Sequence, residues 1–513
     1  MKSSLSKKDI TSTNAFLIYL ALFKLMLLLI FAGNYGLFRD EYYYVEVSKH
    51  LAFGYVDLQP LSAIILALSK ALFGESIFGI RIFSYLAGSA IVIVSGLIVR
   101  EMHGSKFAQI FTGFLVIFSG VILGVSSYFS MNSFDILLSA LMFYFLIRLI
   151  NTNNPKYWLV IGLLFGIGLQ NKLTFLFLGF GLAVGLVLTK YRNQLKSKEI
   201  WIGAAIALLI FLPNIVWQFA NNFPTLEFMR NAAAYKNKPM SIGEFSLGSL
   251  MELNPAFILF PFTAIYFLFF NKDGRTYKLL GWIFISVFLV FAFDNGKPYY
   301  MGVLFPVILA AGVVGADYLI EKYLKNFVRF ILVLVIIPFV FFTAPFSIPI
   351  LNVDTFIKYS ETLGIKPESG ERSKLGLLPQ FYADRFGWKD MVKKVALAYN
   401  KLSPKEKKEA LIFGQNYGEA GAVDFYRKKY YLPPAISSHN NYWIWGYPEG
   451  YNGKVLIVIG SNIKDLTEYF NDVELAATHY SKYGMSYENV DIFICKKPKK
   501  SLKDIWGKIK HFI

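Results

Sequence analysis

Residues 38–61, FRDEYYYVEVSKHLAFGYVDLQPL, interrupt a chain that otherwise alternates long apolar runs with short basic loops. Asp40 and Glu41 stand side by side just past the first apolar run, where hydrocarbon gives way to the interface. Tyr42, Tyr43 and Tyr44 follow at once. Two readings compete here. Either the acids and tyrosines are kept for chemistry at the membrane surface, or the stretch is an interfacial loop with belt tyrosines and solvated carboxylates.

The rest of the chain sets the class. Of its 513 residues, 55% are hydrophobic and 18% aromatic, a composition that belongs to polytopic membrane proteins. The net charge of +18 would suggest nucleic acid in a soluble protein. Here the cations sit in short loops between apolar runs and fix orientation in a bilayer, so no nucleic-acid partner is expected. A single cysteine, Cys495, excludes an intrachain disulfide and a cysteine-cluster metal site. The N-terminal MKSSLSKKD with the run after it reads as an uncleaved first helix.

Apolar windows fall near residues 14–33, 79–99, 106–125, 133–150, 157–171, 173–189, 200–217, 255–270, 279–293, 299–320 and 327–345. They predict about eleven transmembrane helices. Threaded from a cytoplasmic N-terminus, Lys2, Lys7, Lys8, Arg100, Lys106, Arg148, Lys156, Lys190, Lys272, Lys322 and Arg329 fall on the inner side, as the positive-inside bias requires. The acidic pair, Asn132, Asp135, Lys172, the loop 222–254 and Asp294-Asn295-Gly296-Lys297 then share the outer face. The corner Asn171-Lys172 is read as the turn between two short spans, which keeps the basic run Lys190 to Lys198 inside; one kinked helix is the alternative and would invert everything downstream. The expected location is the cell (inner) membrane, multi-pass, with the C-terminal part extracytoplasmic.

Inside the first outer loop, residues 34–78, two interfacial helices are predicted. One runs through DEYYYVEVSKHLA and stops at Gly54; the other opens at Pro60 and ends at Gly74. From about Ser347 the composition becomes mixed. Strands at Ala410–Phe413, Lys454–Ile459 and Asp491–Lys496, with a helix at Glu419–Tyr430, predict a soluble α/β domain over 347–513 after a membrane module over 1–346.

An acidic pair at the outer interface with cations on the same face suits group transfer from a lipid phosphate. The donor expected for such transfer is a sugar on a polyprenyl phosphate, whose tail lies in the membrane lipids and whose phosphate sits at headgroup level. A carboxylate must take the acceptor's proton, and fixed positive charge must hold the leaving phosphate. Asp40 fits the first role; Arg39, Arg81, Lys172 and Lys297 are candidates for the second.

The stretch GNYGLFRDEYYYVEVSKHLAFGYVDLQPLSAIILALSKALFGESIFGIRIFS resembles the first outer loop of the C-type, polyprenyl-phosphate-sugar-dependent glycosyltransferases, a superfamily that includes protein O-mannosyltransferases and lipid A aminoarabinose transferases. The matching elements are Asp40-Glu41, Gly54-Tyr55-Val56-Asp57-Leu58-Gln59-Pro60-Leu61 and Gly79-Ile80-Arg81, with Gln59 in place of the usual first proline. Asn132 to Asp135, Asn171-Lys172, Gly296-Lys297-Pro298-Tyr299-Tyr300, NYGEAGAVDFY and LPPAISSHNNYWIWG continue the likeness. The resemblance implies an inverting displacement with Asp40 as catalytic base and Glu41 as its neighbour or a substrate contact. It implies Lys172 and Lys297 on the phosphate and Arg81 bracing the loop, with Arg39, Tyr43, Tyr44, Asp57, Asn132, Asp135, Tyr299 and Tyr300 as further substrate contacts. Plainer roles stand beside these: Arg81 pairing with Asp57 or snorkelling, Asp135 capping its helix, Tyr299 and Tyr300 anchoring the interface. No cofactor is required; a divalent metal beside Asp40 and Glu41 is compatible with the resemblance. The acceptor is a lipid, a glycan or a protein.

The rival class is a secondary transporter or lipid-linked sugar flippase. Transporters place charge at the bilayer midplane and often repeat one half in the other. In this chain the charges gather at one face and no second half mirrors the first. A receptor-like assembly protein is the third class.

Overall fold

The computed structural model of the chain describes residues 7–294, 296–367, 371, 372, 374, 376–451 and 453–513, with side chains from residue 11 onward. Lys2 and Asn295 lie outside the described residues, as do the side chains of Lys7 and Lys8. Among the described residues, seven helices are long and apolar enough to cross a membrane, and ten crossings result if each bent pair is one span. The first is α1 (Lys7–Phe31). It is followed by α2 (Arg39–Val47), α3 (Pro60–Phe73) and the 25-residue α4 (Ile77–Glu101), the last being about 37 Å long against a hydrocarbon core of about 30 Å.

The helix Tyr157–Leu169 has only 13 residues, about 20 Å. It packs tightly on the helix Lys198–Ala220: a Cβ at Gly162 would stand 2.2 Å from the Gly203 carbonyl oxygen, so only glycine permits the approach. Its turn at Gln170–Lys172 lies beside the first loop, where Leu61 N–H donates to the Gln170 carbonyl at 2.8 Å and the Asn171 amide to Met131 O at 2.9 Å. The helix Thr174–Leu188 then returns to the opposite face, where Gln194 donates to Asn153 at 3.2 Å and Tyr191 to Thr276 O at 2.9 Å. Arg100 with Asn14, Lys106 with Ser12 and Arg329 with Asp317 gather on that same face, the one to which the charge bias assigns them.

Three expected elements come out differently. The first interfacial helix ends at Val47, with Ser48 as its C-cap. Gly54 serves another purpose, since a Cβ there would stand 2.3 Å from the Trp217 ring. The run 106–125 is bent by 59° between Lys106–Ile117 and Gly120–Ser126, and the Asn254 amide fills the freed Phe118 carbonyl at 3.0 Å. The loop 222–254 holds two helices, Pro224–Asn231 and Ile242–Leu253. The second of these forms, with Pro255–Phe269, a pair bent by 100°.

Beyond residue 400 lies a five-stranded sheet in the order β2-β1-β3-β5-β4. Its strands are β1 (Ala410–Gly414), β2 (Ala435–Ser437), β3 (Val455–Ile459), β4 (Phe470–Thr478) and β5 (Asp491–Pro498). β1 is parallel to β2 and β3, whereas β5 runs antiparallel to β3 and β4. Ile412, Ile457 and Ile494 point to one face, packed with α2 and the 417–430 helix; Phe413, Leu456 and Phe493 point to the other.

Candidate active site

The site is built where α2 meets the helix Tyr417–Tyr430. Two glycines bring them together: a Cβ at Gly421 would stand 2.9 Å from backbone atoms of Tyr42 and Tyr43, and one at Gly418 2.6 Å from Arg39 Cγ. The NYGEAG stretch is thus pressed onto the acidic pair. Next to it, Asp57 accepts from Tyr43 at 2.7 Å, Asn440 at 2.8 Å and Asn441 at 3.2 Å. The VDLQPL and HNNYW stretches therefore meet directly.

The two acids have different surroundings. Glu41 is fully buried. It receives Arg81 Nε at 2.7 Å, Arg81 Nη2 at 2.5 Å, Phe129 N–H at 2.8 Å and Phe38 N–H at 2.7 Å. The last bond makes Glu41 the third-residue cap of α2. Arg81 spends its remaining donors on Ala32 O and Gly36 O, both at 2.7 Å, so neither residue presents a free polar group. Arg81 pairs with Glu41 and not with Asp57.

Asp40 is the open member of the pair, its side chain 27% exposed. Oδ1 accepts the Tyr417 hydroxyl at 2.9 Å and faces Arg39 Nε at 3.5 Å. Oδ2 has no protein partner among the described residues. Burial holds the Tyr417 phenol well above its ordinary value, against the pull of Arg39, so it remains a donor. Arg39 also contacts Tyr487 and stands 3.8 Å from Asp384.

Beside Arg39 opens a cavity of about 320 Å³, lined by Arg39, Lys236, Glu371, Arg372, Tyr417 and His439, among others. Burial pushes the Glu371 carboxyl up, but Lys236, Lys297 and Arg39 together outweigh it and hold it well below the usual carboxylate range. Its contacts include Lys297 at 3.0 Å, Lys236 at 3.7 Å and the Gln380 amide, which donates to it at 3.0 Å. His439 is pushed down to about 3, chiefly by burial, and is neutral. Among its side chains the lining thus carries three cations, Arg39, Lys236 and Arg372, against one carboxylate, Glu371.

The other predicted residues form two further groups. Lys172 donates to Asn132 at 2.8 Å, with its ammonium 5.3 Å and 4.6 Å from the Tyr299 and Tyr300 ring centres. Asp135 accepts the Thr174 hydroxyl at 2.6 Å and 2.8 Å; the cap of its helix is Ser130. Tyr43 and Tyr44 are buried, Tyr43 stacked on Tyr417 at 4.6 Å. Lys172 and Lys297 do not line the cavity beside Arg39, although Lys297 reaches its wall through Glu371. The residues missed from sequence are Lys236, Glu371, Arg372, Asp384, Tyr417 and Tyr487. All but Tyr417 come from segments without a motif, and Tyr417 sits within the NYGEAG resemblance. For a divalent ion the donor set fits poorly: Glu41 has no oxygen to give, and among the described residues no three His, Cys, Asp or Glu groups converge.

The chain is similar to known proteins in sequence and in fold. The family described as dolichyl-phosphate-mannose-protein mannosyltransferase matches residues 57–217. The crystal structure of apo ArnT from Cupriavidus metallidurans superposes with a TM-score of 0.60 over 94% of this chain and 98% of that one, at 13% identity. The likeness is one of fold: a polytopic helical membrane architecture with a small C-terminal sheet region. Two curated proteins are similar in sequence. One is the lipid A galacturonosyltransferase RgtD of Rhizobium johnstonii, 23% identical over 49% of this chain and 54% of its own length. The other is the undecaprenyl phosphate-alpha-4-amino-4-deoxy-L-arabinose arabinosyl transferase 2 of Pseudomonas fluorescens, 24% identical over 56% of this chain and 57% of its own. The matches thus span little more than half the length of these relatives.

Proposed function

We propose that the protein is a membrane glycosyltransferase that moves a sugar from a polyprenyl-phosphate donor to an acceptor on the extracytoplasmic side, with inversion and with Asp40 as base. The observation that carries this reading is the Oδ2 of Asp40, without a partner among the described residues, in a carboxylate whose two contacts, Arg39 and Tyr417, line a cavity with more cationic than acidic side chains. Tyr417 and Arg39 hold Oδ1, which aims the second oxygen outward. The acceptor O–H or N–H gives its proton to Oδ2 while the acceptor heteroatom bonds to the anomeric carbon. On the opposite face the carbon–oxygen bond to phosphate breaks, and its electron pair leaves with the polyprenyl phosphate. Arg39, Lys236, Arg372 and Lys297 supply the positive charge that receives it. Lys172, with Asn132, Tyr299 and Tyr300, is a further contact for the donor. Glu41 and Arg81 act by holding the loop that carries Asp40. The similar chain named for undecaprenyl phosphate supports a lipid-linked donor, and the one named for lipid A a lipid acceptor.

A paired glycan and lipid profile of cells with and without the protein tests this. The expected result is one missing sugar together with accumulation of its polyprenyl-phosphate form. Unchanged profiles, or uptake of a solute into sealed vesicles lacking the lipid donor, would overturn it.

A further inference from the structure

A second cavity, of about 520 Å³, opens on the opposite face of the sheet from α2, a volume within the range of small-ligand sites. β1 and β3 are parallel neighbours whose chains leave in opposite directions. β1 continues into the 417–430 helix and on to β2; β3 continues into the helix Ile463–Tyr469 and on to β4 at the far edge. Divergence of this kind opens a crevice at the carboxyl ends of β1 and β3, where open α/β sheets take ligands; Gln415, Ser438 and Asp465 line that end, and the cavity runs along the sheet to Tyr469 and Lys500 at the amino end of β3.

The lining decides the chemistry. Phe413 and Leu466 form an apolar floor, and Tyr469, 37% exposed, stands at the side. Gln415, Asp465 and Glu468 lie at the rim with one cation, Lys500. Among the described residues the side chains of Gln415, Glu468 and Lys500 make no hydrogen bond or ion pair, so nothing in the fold uses them. An aromatic face with free carboxylate and amide groups suits the apolar C–H face and the hydroxyls of a sugar ring. Two acids against one base disfavour a phosphate or an acidic sugar. The crevice also shares a thin wall with the cavity beside Arg39: Gln415, Ser438 and His511 line it, while Asn416, His439 and Ile513 line the other.

We propose that this crevice binds a neutral saccharide, the glycan part of the acceptor, which makes it a recognition subsite apart from the Asp40 centre. The assignment to the acceptor rests on the transferase reading; the binding itself does not. Full-length protein in phosphatidylcholine nanodiscs is titrated with fluorescent maltotetraose, mannotetraose and chitotetraose, and with tetragalacturonate as the acidic comparison. At least one neutral tetrasaccharide is expected to bind saturably, with tetragalacturonate weaker by about tenfold or more. Tyr469→Ala and Glu468→Gln each weaken that binding by about tenfold and leave the melting temperature and undecaprenyl phosphate binding unchanged. Asp40→Asn leaves saccharide binding intact, so loss of transfer and loss of this subsite are read separately. Binding of none of the neutral sugars, preference for the acidic one, or binding indifferent to both substitutions would overturn the proposal.

Discussion

Tyr417 donates its hydroxyl to Asp40 Oδ1 at 2.9 Å, joining residues 377 positions apart in the chain. The bond ties the first outer loop to the C-terminal sheet region at the atom on which the proposed chemistry depends. Tyr417→Phe keeps the ring stacked on Tyr43 and removes only the hydroxyl. We expect a loss of about 1–2 kcal/mol, roughly five- to thirtyfold in kcat/KM, with an unchanged melting temperature. Steady-state transfer assays beside thermal melts check this.

The buried Glu41–Arg81 pair is structural, and its variants should behave differently from those at Asp40. Arg81→Met leaves a buried carboxylate with no counter-ion, which costs about 3–5 kcal/mol and is expected to abolish the monodisperse peak in size-exclusion chromatography. The double variant Glu41→Leu/Arg81→Met removes both charges and recovers part of that stability. If the single variant remains as stable as the parent, the pair does not brace the loop.

Asp384 is buried against Arg39, and burial pushes its carboxyl up to about 6 although Arg39 pulls it down. Its folded value lies above the ordinary 3.8, so the fold binds this proton more tightly than the unfolded chain does. The resulting stability is full below about pH 4 and is lost as pH rises through about 6. Asp384→Asn should match the parent near pH 4 and exceed it above pH 6, by of order 2 kcal/mol. Melting curves over that interval decide; parallel curves would contradict the assignment.

From the charge bias and from where the loops gather we expect Asp40 on the extracytoplasmic face. Asp294 and Lys272 are both exposed and lie at opposite ends of the helix Lys278–Phe293 and its lead-in. In a cysteine-free background, Asp294→Cys should react with an impermeant maleimide on intact cells. Lys272→Cys should react only after permeabilisation. The reverse pattern would invert the placement of Asp40.

Much of this was legible in the sequence, and the physics explains which parts. The apolar windows, Pro60 and Gly74 as the bounds of α3, and the buried strands β1, β3 and β5 carry local signals of length, period and capping. β4 escaped because it is an edge strand of mixed polarity, FNDVELAAT, and β2 because it has only three residues. The bend at Phe118 was hidden because the Asn254 amide that satisfies the opened turn lies 136 residues away. Glu41 and Asp40 are adjacent and chemically alike, and what separates their surroundings is distant in the chain: Arg81 and the Phe129 N–H on Glu41, Tyr417 on Asp40. The capping position of Glu41 was the one local clue. Lys236, Glu371 and Arg372 come together from separate segments with no motif, which no reading of spacing could show.

The central claim is that the open oxygen of Asp40 takes the acceptor proton. Asp40→Asn preserves shape and removes the base, so the direct measurement is transfer of sugar from a purified polyprenyl-phosphate donor by this variant in nanodiscs, with donor binding measured in parallel. Donor binding is expected to be unchanged and the rate lowered by a factor of about 10²–10⁴. Transfer at the parent rate, by a variant that is folded and loaded with donor, would contradict it.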